Sequence, residues 1–155
     1  TVSMLLQLAL ACAPPPLPTP DTTPSISITW PLPETEIQGC TTVAVAVENF
    51  EFVDFTTNGV NAEGQGHWHV FHPAGYAATW VPFQFVDWST VKETTDPYLT
   101  VQLANNDHSE VLDDSGQPIT ASIPFTFVPG PCEATGDADT EEYDTGDTGD
   151  TGGGG

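Results

Sequence analysis

The chain has 155 residues, enough for one domain with flanking tails. It carries 22 Asp and Glu residues against a single Lys, and its formal net charge is −21. Because contact with phosphates needs a basic surface, this balance excludes nucleic acid and anionic membrane surfaces as partners. Contact with a membrane is therefore expected only through an N-terminal lipid anchor, and the sequence defines no protein partner.

Residues 1–11 have the apolar character of a signal peptide. The run from Met4 to Ala11 is too short to span a membrane, which needs roughly 20 residues. It leads into LALAC, which resembles the cleavage site of bacterial lipoproteins, where the Cys after the cut carries the lipid. We expect lipidation of Cys12 and a location in the outer membrane or at the cell surface. The alternatives are ordinary signal cleavage, giving a periplasmic or secreted protein, and an apolar start that stays in the protein.

Two low-complexity segments flank the central region. Residues 12–24 read CAPPPLPTPDTTP, and closely spaced prolines favour an extended polyproline II tether. Residues 133–155 form an acidic tail of Asp, Thr and Gly that cannot bury enough apolar surface to fold. We expect the tail to be a solvated spacer, with a calcium-binding repeat as the alternative.

The central region, residues 25–132, shows one β-strand pattern after another and no convincing helical periodicity. About six or seven short strands predict an all-β fold, an immunoglobulin-like antiparallel β-sandwich. A barrel of eight strands is the alternative. Nine aromatic residues are expected to supply the core: Trp30, Phe50, Phe52, Trp68, Trp80, Phe83, Phe85, Phe125 and Phe127.

Cys40 stands just before the first long strand pattern, and Cys132 follows the last one. If Cys12 is lipidated, these two cysteines remain as an even pair. In an oxidising compartment they are expected to form a disulfide that joins the ends of the domain. This pairing supports an extracytoplasmic location.

Three of the four histidines lie in the segments GQGHWHV, residues 64–70, and NNDHS, residues 105–109. On a strand, residues i and i+2 point to the same face, so His67 and His69 project together while Trp68 points to the core. In an immunoglobulin-like sandwich the third and sixth strands are antiparallel neighbours. Assigning residues 67–72 and 98–104 to these strands brings His108 close to His67.

Three imidazoles from adjacent strands suit copper or zinc, with a fourth position open to water. Three carboxylates are expected to complete the shell or to orient a ring: Asp107, Glu63 and Glu110. His72 has the opposite parity and is not expected to take part. The alternative is a set of polar side chains on a sheet without a metal.

These segments resemble a group of small secreted bacterial β-sandwich domains. The resemblance lies in EGQGHWHVFH, YLTVQLANNDHSEV and ITASIPFTFV, and it runs from about residue 25 to residue 131. The group shares a Gly-x-Gly-His-x-His strand and an Asn-Asp-His-Ser segment. Its members have no established activity, and the resemblance implies a secreted sandwich with a metal role for the histidines. This chain has His72-Pro73 where an Asp usually follows the first motif, and Tyr98-Leu99 where His-Thr often opens the late strand.

Two functions therefore remain. The first is an extracytoplasmic, lipid-anchored module that binds copper or zinc at His67, His69 and His108. The second is a structural or adhesive β-sandwich displayed on a tether, without a metal. The sequence shows no Ser or Cys nucleophile motif, so an enzyme is supported only through chemistry at an open metal position.

Overall fold

The computed structural model describes residues 22–132, so the predictions for the signal peptide, for Cys12, for most of the tether and for the acidic tail lie outside the described residues. The described part contains ten strands. In chain order they are β1 (Ser25–Trp30), β2 (Glu36–Gln38), β3 (Cys40–Glu48), β4 (Glu51–Phe52), β5 (Gln65–His72), β6 (Gly75–Thr79), β7 (Phe83–Asp87), β8 (Tyr98–Ala104), β9 (Thr120–Pro124) and β10 (Thr126–Val128). Within this part of the chain, no helix is long and apolar enough to cross a membrane.

The strands form two main sheets, with the order β1-β3-β7 in one and β4-β5-β8-β9 in the other. Strand β6 pairs with the free side of β5, and a short parallel pair of β2 and β10 completes the structure. The order β1-β3-β7 matches strands A-B-E of an immunoglobulin-type sandwich, and β6-β5-β8-β9 matches strands C′-C-F-G, whereas the short parallel strand β4 has no counterpart there. The predicted fold class is confirmed. The strand number is higher than predicted because the long segments 41–55 and 119–128 each divide into two strands, and because β2 and β6 were not among the predicted strands.

The core lies between the inner faces of the two sheets. Alternating residues of β5 and β8 are fully buried and belong to one cluster with inward residues of β3 and β7. The buried members in these strands, with the adjacent Trp88, are Trp68, Val70, Leu99, Val101, Leu103, Val43, Val45 and Val86, and Ile26, Ile37, Ile119 and Phe125 also belong to the cluster. Full burial of each such aliphatic side chain contributes about 1.5–3 kcal/mol, so this cluster is the main source of stability.

Four of the nine aromatic residues assigned to the core are exposed instead, which corrects that prediction. They are Trp30, Trp80, Phe83 and Phe85, with exposed fractions of 50%, 36%, 57% and 53%. The register of β1 on β3 shifts between Ile28 and Trp30, and this bulge turns Trp30 to the outer face. The fully buried Trp88 fills the core at the end of β7.

The two ends of the sandwich are closed in different ways. Strand β3 ends at Glu48, and the left-handed residue Asn49 (φ 53°) turns the chain into β4, which pairs with β5 of the other sheet. At the opposite end, Cys40 and Cys132 form a disulfide with a Cα–Cα distance of 5.0 Å. This disulfide is compatible with an oxidising, extracytoplasmic location.

Candidate metal centre

Strand β5 carries two of the three clustered histidines. His67 and His69 are separated by the fully buried Trp68, so both imidazoles project from the outer face of the sheet. Strand β8 lies antiparallel to β5, with Ala104 opposite His67 and Gln102 opposite His69. The C-terminal end of β8 is therefore beside the first histidine, as the assignment of the third and sixth strands predicts.

The third histidine, His108, lies in a tight turn that follows β8. The backbone N–H of His108 donates to the carbonyl of Asn105 at 2.9 Å, and Asn105 N–H donates to the carbonyl of Ser109 at 2.8 Å. His108 has a left-handed backbone (φ 66°), which non-glycine residues adopt only in such turns. Asp107 Oδ1 accepts hydrogen bonds from the backbone N–H and the hydroxyl of Ser109. The turn is thus fixed by its own side chains, and it directs the imidazole back over β5.

The glycines of the Gly-x-Gly-His-x-His motif have structural roles. Gly64 has a left-handed backbone (φ 70°) in the turn before β5. A Cβ atom at Gly66 would overlap the backbone carbonyl oxygen of Ala104, so only glycine lets β8 approach β5 at this point. This close approach brings the turn that carries His108 to the start of β5.

The three ring nitrogens form a nearly equilateral triangle. His67 Nε2 lies 3.0 Å from His69 Nε2 and 3.1 Å from His108 Nδ1. His69 Nε2 lies 3.2 Å from His108 Nδ1. A metal ion at about 2.05 Å from each nitrogen, the usual zinc–imidazole distance, would sit about 1 Å out of their plane, with N–metal–N angles of about 98°. These angles suit a four-coordinate ion with one position left open.

The triangle cannot be explained by hydrogen bonds among the imidazoles alone. In a neutral imidazole each ring nitrogen either carries a proton or offers a lone pair. With three nitrogens and two states, at least two must be alike, so one of the three close contacts joins two donors or two acceptors. A cation resolves this conflict because it binds all three lone pairs at once.

Burial holds the first imidazole in its neutral form. His67 is fully buried, although its side chain lies on the outer face of the sheet. The ring of Phe55 covers it, with ring centroids 4.0 Å apart, and also contacts His108 at 4.8 Å. Burial, together with the neighbouring His69 and His108, lowers the pKa of His67 from 6.5 to about 4. Burial and His108 also lower the pKa of His69. At neutral pH no proton has to leave His67 before a metal binds.

The loop between β4 and β5 supplies Phe55, which the sequence analysis did not include in the site. Two hydrogen bonds fix this loop to the turn after β8: Asn106 Nδ2 donates to the carbonyl of Val60 at 2.8 Å, and Asp107 N–H donates to Asn61 Oδ1 at 3.0 Å. No periodic pattern in residues 53–62 marks Phe55 as a cover for the histidines. The Asn residues of the two loops are the available signal, because they are typical of turns.

Within residues 22–132, none of the three carboxylates expected around the metal forms a hydrogen bond with an imidazole of the cluster. Hydrogen bonds from Ser109 hold Asp107 in its turn and are the main cause of its lowered pKa. Glu110 accepts a hydrogen bond from Gln102 Nε2 at 2.8 Å. Glu63 lines a separate depression on the surface.

The ligand group in the described residues consists of His67, His69 and His108 alone. His67 Nδ1 is buried without a hydrogen-bond partner. The ring of His72 lies 6.0 Å from that of Trp88 and outside the group.

Comparisons with known proteins gave no match: neither a scan against protein-family models nor searches of curated proteins and of solved structures found one. The three imidazoles could hold a metal ion.

Proposed function

We propose that the protein is an extracytoplasmic, lipid-anchored β-sandwich module that binds one transition-metal ion, copper or zinc, through His67, His69 and His108. The observation that carries this proposal is the triangle of ring nitrogens at 3.0–3.2 Å, in which hydrogen bonds cannot satisfy all three contacts. A role in carriage, sequestration or sensing of the metal follows from a site near the surface with one open position.

The donor atoms support copper or zinc over the hard cations. Imidazole nitrogen suits zinc and copper, whereas calcium and magnesium take oxygen ligands, and no carboxylate joins the group in the described residues. The net charge of −21 attracts cations of every kind, so it adds to local metal concentration without selecting among metals.

The two motifs shared with small secreted bacterial β-sandwich domains supply all three imidazoles. Gly-x-Gly-His-x-His contributes His67 and His69, and Asn-Asp-His-Ser contributes His108. We therefore infer that the resemblance reflects a common metal site. The two departures, at His72-Pro73 and at Tyr98-Leu99, involve no member of the ligand group.

The lipid anchor rests on LALAC at residues 8–12 and on the disulfide between Cys40 and Cys132, which suits an oxidising compartment. Mass spectrometry of protein from a bacterial membrane fraction tests this part. We expect a mature chain that begins at Cys12 with an acyl mass. A mature chain that begins elsewhere, or a Cys12 without the acyl mass, would contradict the anchor and leave the metal site unaffected.

Metal binding is tested by titrating the chelator-treated full-length chain with Zn²⁺ and Cu²⁺ at pH 7.5. We expect one high-affinity ion per chain, and His69→Ala should weaken it by more than the roughly 100-fold that loss of an outer-shell partner costs. The matched control is His72→Ala, a histidine of the same strand outside the group, which should bind as the original protein does.

If a His67→Ala/His108→Ala double variant bound the metal with unchanged affinity, the metal would bind elsewhere. The acidic tail would then be the first segment to test. Absence of binding would leave the second function from the sequence, a structural or adhesive module.

A further inference from the structure

The sheet formed by β1, β3 and β7 carries an aromatic surface on its outer face. Trp30, Phe83 and Phe85 are 50%, 57% and 53% exposed. In the register of the sheet, Trp30 and Phe83 stand on either side of Ala44, and Phe85 stands next to Thr42. The three aromatic side chains and the small residues between them form one continuous patch, which we call the aromatic face.

The aromatic face is uncharged. The other outward positions in these rows carry small side chains, namely Ser27, Thr42, Ala44 and Ala46. Charged residues on this side of the sheet lie only at its two ends, at Glu48 and Asp87. An uncharged sheet face is unusual on a chain with a net charge of −21, and a contiguous exposed apolar patch is typical of a binding surface.

The three rings have no aromatic partners within residues 22–132. Two other exposed aromatic residues do have them: Trp80 packs edge-on against Phe55, and Tyr76 contacts Phe71. The residues Trp30, Phe83 and Phe85 are fixed in position by the hydrogen-bonded pairing of β1, β3 and β7. Such preorganisation lowers the entropy that a ligand would lose on binding.

Size and charge together select the kind of occupant. Half-exposed aromatic side chains offer roughly 100 Å² each, so the three rings present roughly 300 Å². A stable protein interface needs about 800 Å² per partner, which argues against a second copy. Two chains that each carry a net charge of −21 repel one another, which opposes a second copy further. The same negative charge repels nucleic acid and acidic glycans and excludes them as ligands.

We propose that the aromatic face binds a neutral polysaccharide. The C–H face of a pyranose ring is apolar and packs on an aromatic ring through dispersion, while its hydroxyl groups stay in water. Trp30 and Phe83 stand two strands apart, about 9.6 Å from strand to strand, so an extended glycan that crosses the strands contacts both. The metal centre lies on the outer face of the other sheet, and the two sites are independent.

The test uses the full-length chain with EDTA present, so that the metal site plays no part. Binding is measured by depletion onto microcrystalline cellulose and chitin, and by affinity electrophoresis in hydroxyethylcellulose. We expect binding to at least one of these glycans. Trp30→Ala should weaken it by about 10-fold or more, the cost of losing one stacked ring, and the double variant Phe83→Ser/Phe85→Ser, which removes two rings, should weaken it further. The matched control is Leu112→Ser, which removes a comparably exposed apolar side chain that is not part of this face.

Three outcomes would overturn the proposal. The first is no retention on any of the glycans, and the second is retention that the aromatic variants leave unchanged while their thermal unfolding remains cooperative. The third is a different occupant: a dimer in sedimentation velocity, or binding to phosphatidylcholine vesicles, that the same variants abolish. None of these results bears on the metal site, because its ligands belong to the other sheet.

Discussion

Acid should destabilise the metal-free protein through His67. In the unfolded chain this imidazole takes up a proton near pH 6.5, whereas burial keeps its pKa at about 4 in the folded protein. The unfolded state therefore binds more protons between these values, and the folded state loses stability as the pH falls from about 6.5 to 4. Over the whole interval the loss is about 3 kcal/mol, and between pH 8 and pH 5 it is about 2 kcal/mol.

Urea denaturation with EDTA present measures this loss. The free energy of unfolding is compared at pH 8 and pH 5 for the original chain and for His67→Gln, whose side chain does not titrate. Carboxylates titrate alike in both proteins, so the difference between the two pH dependences isolates the histidine. We expect the original chain to lose about 2 kcal/mol more than the variant, a loss given by the two pKa values of His67. Equal losses would show that His67 is solvated, and the explanation from burial beneath Phe55 would be wrong.

Three further predictions concern the metal and the frame around it. Zn²⁺ at 100 times its dissociation constant should raise the unfolding temperature by about 12 °C in calorimetry. Ligand binding at this concentration stabilises the folded state by about 2.7 kcal/mol, and this shift follows for a domain of about 110 residues. His69→Ala should abolish the rise. Cys40→Ser/Cys132→Ser opens a loop with a sequence separation of 92 and should lower the free energy of unfolding in urea by about 4–5 kcal/mol, whereas a loss below 1 kcal/mol would contradict the chain-entropy argument. Gly66→Ala should cost about 1–3 kcal/mol and weaken zinc binding, because its Cβ meets β8. Gly59→Ala, at a position with open space, is the control and should change neither quantity.

The cluster of three histidines could be predicted from the sequence because two simple rules govern it. The period of two along a strand places His67 and His69 on one face, and the order of strands in an immunoglobulin-type sandwich places the end of β8 beside them. Both rules depend on backbone geometry alone, so they survive without knowledge of side-chain packing. The register of β8 on β5 also places the turn that carries His108 beside His67.

The cover over the site and the aromatic face could not be predicted in this way. Phe55 reaches His67 through an irregular loop, whose path depends on hydrogen bonds between residues distant in sequence. Trp30 would point inward if β1 kept its alternation, and a single bulge reverses it. Phe83 and Phe85 were assigned to the core by their hydrophobicity, although the strand also offered Val86 for that role.

The local hydrogen bonds of the carboxylates could not be predicted in this way either. Asp107 lies next to a clustered histidine in the sequence, but its oxygen is engaged by Ser109 as part of the turn. Asp followed by Ser two residues later is a common local hydrogen-bonding pattern, so proximity in sequence to a ligand does not make such a residue a partner of the metal.

The disulfide and the three imidazoles lie at opposite ends of the sandwich, since β3 runs from Cys40 to the turn that leads towards His67. The disulfide cross-links one end covalently, whereas under the proposed function the other end would be cross-linked only by a bound ion. Loss of the metal would thus lower the local stability of only one end of the sandwich, around the loop that contains Phe55. The other end would remain cross-linked by the disulfide. Hydrogen exchange should accordingly differ between the two poles when the ion is withdrawn, and the protein could report metal supply without unfolding.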